Sequence, residues 1–169
     1  MSTALASQTA PAEASHTLGM APAEAEEVFV MLSVAGQFCG LPVRGVRDVL
    51  GPQSITRIPL ALPEIAGSLN LRGKIVTAID LRRRLGLPPA EAGAPPCMSI
   101  VAEQGDELYA LLVDQVTEVL TLPTSGIERA PPTLPPAWRR FSVGVHRLAD
   151  RLMVVLDLGR VLDLDPSET

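Results

Sequence analysis

The residues with the most pointed chemistry stand in Asn70-Leu71-Arg72-Gly73, between an alternating stretch that ends at Leu71 and a second that runs from Ile75 to Ile79. Arg72 followed by Gly73 fits a tight hairpin turn, because glycine tolerates positive φ. An arginine on such a tip presents a planar fork of donors suited to a partner's carboxylates or carbonyls, and arginine is over-represented among interface hot spots. Asp48, just after Val46 on an expected strand, is placed to pair with Arg72 and orient it. An exposed pair of this kind contributes only about 0–1 kcal/mol, so its use is positional. This is the chemistry of recognition.

Reactive chemistry has no comparable foothold. Cys39 and Cys97 have no CxxC partner and no neighbouring His, so they read as buried thiols of a reducing compartment. His146 has no Ser, Cys or second His nearby, and Asp163 with Asp165 lacks the convergent oxygens of a Ca²⁺ loop. No phosphate loop, nucleophile elbow or metal signature is present. The expectation is a non-enzyme with no cofactor and no metal. Arg82-Arg83-Arg84 could mark a basic patch, but the chain holds 19 acidic residues and only one Tyr and one Trp. Base stacking would need aromatics interleaved with the charge. The run is therefore expected to decorate a short helix.

The elements that must position these residues read as β. From Val28, VFVMLSVAGQFCGLPV shows two strand-like runs around Ala35-Gly36. Pro42, Pro52, Pro59, Pro63, Pro88, Pro89, Pro95 and Pro96 deny the first half any long helix. Asp80 is expected to cap a short helix from Leu81, with Leu85 on the same face and Gly86 as its stop. The same grammar recurs. Gly67, Leu71, Asp80, Leu81, Arg83, Leu85 and Leu87 are matched by Gly144, Leu148, Asp157, Leu158, Arg160, Leu162 and Leu164, and Leu41, Val43, Val46, Val49 and Leu50 by Leu111, Val113, Val116, Val119 and Leu120. Two copies of one small β unit are expected, sharing an apolar seam because each alone closes only a modest core.

The expected boundaries are a disordered Ala/Pro/Glu tail at 1–27, a first unit at 28–88, a Pro/Ala linker at 89–96, a second unit at 97–164 and a short tail at 165–169. At 169 residues, 47% apolar and net charge −5, the chain can bury a core and shows no basic surplus for a polyanion. A protein partner or small ligand is the better expectation. No apolar run approaches the ~20 residues of a membrane helix and no targeting segment is visible, so a cytoplasmic protein without direct membrane insertion is expected.

GSLNLRGKIVTAIDLRRRLGL resembles the CheW family of bacterial chemotaxis coupling proteins at Gly67, Asn70, Leu71, Arg72, Gly73, Asp80, Leu81 and Arg82. The resemblance continues through Ile55-Thr56-Arg57-Ile58-Pro59, Val113-Asp114, Val119-Leu120 and Arg129-Ala130-Pro131, and covers about Val28 to Leu164. It implies an all-β fold with short helices: two pseudo-symmetric five-stranded SH3-like β-barrels packed on a shared hydrophobic seam. It also implies a non-catalytic adaptor that couples methyl-accepting chemoreceptors to the regulatory domain of the histidine kinase CheA, cytoplasmic and recruited to membrane-associated receptor arrays. Kinase contacts would fall on Arg72, Leu71, Gly73 and Asp48. Receptor contacts would fall on Val43, Val46, Gly67 and Val113, near a groove where an apolar helix face could lie. Thr77, Ser68 and Asp48 depart from the family's usual Pro, apolar residue and Glu. In the second copy Ala149-Asp150 replaces Arg72-Gly73, which restricts the tip contact to the first. The competing expectation is a small β-barrel that binds a ligand or an oligonucleotide. The missing basic surplus and aromatic platform count against it.

Overall fold

The computed structural model describes residues 25–164, so the tails expected at 1–27 and 165–169 lie wholly or largely outside the described residues. The chain runs β1 (Glu26–Val34), β2 (Gln37–Pro42), a 3-10 turn (Val43–Gly45), β3 (Val46–Leu50), β4 (Ile65–Leu71), β5 (Lys74–Asp80) and helix α1 (Leu81–Arg84). It continues through β6 (Met98–Gln104), β7 (Glu107–Val113), β8 (Gln115–Pro123), a second 3-10 turn (Thr124–Gly126), β9 (Ile127–Glu128), α2 (Pro136–Phe141), β10 (Ser142–Arg147), β11 (Leu152–Leu156) and α3 (Leu158–Leu162). The fold is mostly β with short helices, as expected. β1 opens at Glu26, ahead of the Val28 start.

Local chemistry accounts for the punctuation. Ala35 and Gly36 turn β1 into β2 with φ of 52° and 82°, the doubly positive geometry whose twist suits adjacent strands. The Asp80 carboxylate accepts from the Arg82 and Arg83 N–H groups at the start of α1, and Asp157 accepts from Arg160 N–H at the start of α3. Gly86, at φ 73°, ends α1 with Leu87 N–H donating back to Arg82 O.

The strands form a six-stranded sheet in the order β8-β1-β2-β11-β10-β9 and a five-stranded sheet in the order β3-β6-β7-β5-β4. The two orders are copies of one another with the hairpins exchanged. Hairpin β1–β2 lies between strands of the second half, and β6–β7 between strands of the first. The joints are β1 with β8 and β2 with β11 in one sheet and β3 with β6 and β5 with β7 in the other, the β2–β11 and β5–β7 pairs being parallel.

The central strands are apolar on both faces. Along β1, Val30, Leu32 and Val34 enter a large core that draws on both sheets, while Phe29 and Met31 turn to a smaller cluster with Met153 and Val155. Along β7, Leu111 and Val113 join the large core, and Ala110 meets Leu69, Val76 and Ala78 on the other face of its sheet. The large core is the shared seam.

The expected pair of five-stranded barrels requires correction, because hydrogen bonds close neither sheet. The six-stranded sheet is nonetheless rolled. Its edges β8 and β9 are joined only by Thr124–Gly126. A flat sheet would hold those edges about 24 Å apart, whereas so short a link reaches no more than about 14 Å.

The duplication reaches backbone detail. Register slips at Ile65/Gly67 and at Ser142/Gly144, and the two glycines have φ of 150° and 154°. A Cβ on Gly67 would come within 2.1 Å of Thr56 O, and one on Gly144 within 2.4 Å of Glu128 O. In each copy the bulge lets an extra segment bridge the edge strand, Thr56 to Ser68 and Glu128 to Val145.

Candidate functional site

Arg72 and Gly73 occupy the β4–β5 turn with φ of 52° and 88°. Asn70 Oδ1 accepts from the Gly73 N–H at 2.9 Å, which fixes the turn beyond the Leu71–Lys74 pair at its base. The Arg72 side chain is 83% exposed, and its Nη2 lies 3.5 Å from Asp48 Oδ2. Asp48 stands on β3 beyond a register slip from Val46, where its Oδ1 also accepts from Val49 N–H.

β3 and β4 are opposite edges of the five-stranded sheet, so this contact shows that the second sheet is rolled as well. The ion pair bridges its mouth. Between the two edges lies an open depression of about 410 Å³, floored by Leu71, Val101 and Leu108 and rimmed by Arg47, Asp48, Arg72, Lys74, Glu103 and Asp106. Arg47 and Glu103 pair directly across the rim. Sequence reasoning missed Ile75, which is 72% exposed next to the tip. The signal was available, since Val76 and Ala78 point inward and strand alternation then turns Ile75 out.

The residues assigned to a receptor are not gathered on one surface. Val43 is exposed on the 3-10 turn, and Val46 is half-buried against the shared core. Val113 is inside that core at 1% exposure, and Gly67 is buried at its bulge.

The arginine run does more than decorate α1. Arg82 makes a two-pronged contact with Asp114, Nε to Oδ1 at 3.0 Å and Nη2 to Oδ2 at 2.7 Å, and donates to Pro88 O. Asp114 also accepts from Ala35 N–H, so one carboxylate ties the β1–β2 turn, the β7–β8 junction and α1 together. The Arg82 hydrogen bond, with help from Ala35, holds the Asp114 carboxyl below its ordinary range. Arg84 crosses to the other copy, where it donates to Val161 O, Arg160 O and Asp163 O at the end of α3. It also pairs with Glu64 and lies over the Phe141 ring. Arg83 is the exposed member, reaching Asp80 and Pro63 O.

Among the described residues no group of His, Cys, Asp and Glu is arranged to hold a metal ion. Both cysteines are free; Cys39 is buried, which pushes its thiol pKa far up, while Cys97 is half-buried. His146 is buried with Nε2 at 3.3 Å from Pro123 O.

Residues 28–165 match the family model of the CheW-like domain. The chain is 31% identical to the chemotaxis protein CheW of Bacillus subtilis over 146 residues, covering 85% of this chain and 91% of that protein. It is 31% identical to the chemotaxis protein CheW of Rhizobium meliloti over 132 residues, covering 78% of this chain and 82% of that one. Among solved structures, the scaffolding protein TtCheW from Thermoanaerobacter tengcongensis superposes with a TM-score of 0.72 at 29% identity, covering 86% of this chain and 98% of that chain.

Proposed function

The chain belongs to the CheW family of chemotaxis coupling proteins, and on that premise we propose that it holds a CheA-type histidine kinase against the cytoplasmic tips of methyl-accepting chemoreceptors. It acts by fixing geometry, with no chemistry of its own. The carrying observation is the hairpin tip, where an 83% exposed arginine is held on a rigid turn with Asp48 behind it. Beside it, Ile75 supplies exposed aliphatic surface. Arginine is among the residues enriched at interface hot spots, and the aliphatic surface beside it is apolar area that a partner gains by burying. We assign the kinase's regulatory domain to this tip, with Arg72, Asp48 and Ile75 in contact and Leu71 and Gly73 shaping the turn.

For the receptor, Val43 and Val46 offer the accessible apolar surface, with Val113 in the core that Val46 packs against, while Gly67, on β4 and buried against Thr56, contributes by holding the fold. The units at 28–88 and 97–164, joined through 89–96, are read as SH3-like modules that have traded hairpins. An adaptor of this kind works in the cytoplasm at receptor arrays. No helix among the described residues is long and apolar enough to cross a membrane. Family membership favours this reading over a ligand- or oligonucleotide-binding barrel.

The test is co-sedimentation with receptor-bearing membranes and purified kinase. Wild type should carry kinase into the pellet only when receptor is present. Arg72→Asp should lose kinase retention by about tenfold or more in affinity with an unchanged circular dichroism spectrum. Unaltered kinase retention by that variant refutes the assignment.

A further inference from the structure

Three arginines meet at the seam between the copies, away from the residues assigned to the kinase and the receptor. Arg84, Arg140 and Arg160 line a small cleft of about 290 Å³ together with Phe141 and Asp163. Arg84 comes from α1 of the first copy, whereas Arg140 and Phe141 come from α2 and Arg160 from α3 of the second.

Two of the three charges are answered within the fold. The Arg84 side chain is only 8% exposed and pairs with Glu64 at 3.3 Å, while Arg160 lies 3.5 Å from Asp157. Arg140 is exposed and, among the described residues, has the Phe141 ring but no carboxylate beside it. The guanidinium carbons of Arg84 and Arg140 stand 4.7 and 5.1 Å from the centroid of that one ring. Burial lowers the Arg84 pKa, Glu64 opposes the shift, and Arg140 adds to it. Like charges sharing one wall, one of them buried, favour an oxyanion in the cleft.

The chain itself supplies one. α3 gives way at Asp163 to extended backbone, φ −81° and ψ 101°, where the matched residue of the first copy, Gly86, turns the chain with φ of 73°. The second copy therefore runs on where the first turns back. Asp163 lines the cleft and Leu164 packs against the large core, so the side chains alternate as in a strand. Asp165 and Pro166 follow. A proline disfavours helical backbone at the residue before it, and an extended Asp165 returns its carboxylate to the cleft side. Two extended residues span about 7 Å, a step that an arginine side chain can bridge.

We propose that Arg84, Arg140 and Arg160 form an oxyanion site whose occupant is the carboxylate of Asp165, paired directly with Arg140, so that the chain beyond α3 is pinned to α2 across the seam. The test compares thermal midpoints of the full chain in millimolar inorganic phosphate and in chloride at the same ionic strength. Wild type should give nearly the same midpoint in both, because Asp165 fills the cleft. Asp165→Asn should free it for phosphate, which then raises the midpoint by about 2 °C or more. Asp165→Asn combined with Arg140→Gln should lose that rise, and both variants should keep the wild-type circular dichroism spectrum. A rise in wild type equal to that in Asp165→Asn overturns Asp165 as the occupant. A rise in neither, or one that survives Arg140→Gln, overturns the site.

Discussion

Gly67 and Gly144 meet the same demand in the two copies: positive φ at a bulge, with a carbonyl oxygen where a Cβ would sit. Gly67→Ala should therefore destabilise the protein by about 2–4 kcal/mol, combining backbone strain with a clash against main chain that cannot swing away. Gly144→Ala should cost a similar amount, measured by urea denaturation. A change under about 0.5 kcal/mol at either site would contradict the geometry. Any loss of receptor binding in a Gly67 variant must be read against that loss of fold. Arg72 makes the opposite case, since its side chain is exposed and a substitution there tests contact rather than stability. Ile75→Ser should behave likewise, with kinase affinity reduced about tenfold and the urea midpoint unchanged; equal affinity to wild type would remove Ile75 from the interface.

The short helices act as anchor points for arginines that tie elements together. Arg82 reaches from α1 to Asp114, and Arg84 caps the carbonyl end of α3. Because Asp114 has its carboxyl pKa depressed in the folded state, its contribution to stability is complete above the unfolded carboxyl value near 4 and fades as pH falls through the lower folded value. Asp114→Asn should thus lower stability by about 1–3 kcal/mol at pH 7, the range for charge-assisted hydrogen bonds, and the gap from wild type should narrow below about pH 4. Urea midpoints at pH 7, 4 and 3 would show it. A gap that is constant across that range would mean that the charge on Asp114 is not what the pair uses.

At the scale of the molecule, the exchange of hairpins makes the two halves mutually dependent. Each sheet has strands from both sides of the 89–96 connection, and the largest core takes residues from both sheets. Protease cleavage at a site inserted between Ala92 and Gly93 should leave two fragments that elute together at the intact size and separate only in denaturant. Residues 1–88 produced alone should show no cooperative unfolding. Fragments that part under native conditions would refute the dependence. The local features were legible in the sequence because they are set by neighbours along the chain. The Arg72-Gly73 turn needs only a residue tolerant of positive φ, the Asp80 and Asp157 caps need only the amides that follow them, and the continuous apolar run of β1 needs only a strand buried on both faces. The duplication was visible for the same reason, as one set of local demands written twice. Tertiary structure alone decided which copy each hairpin joins, since both copies present equivalent strands and the pattern of either would satisfy both sheets. It also decided that Val113 is core while Val43 is surface, although they are matched positions, and that Arg82 and Arg84 are structural ties. Those outcomes depend on Asp114, the α3 carbonyls and Phe141, which lie far along the chain and meet the arginines only once the sheets have packed.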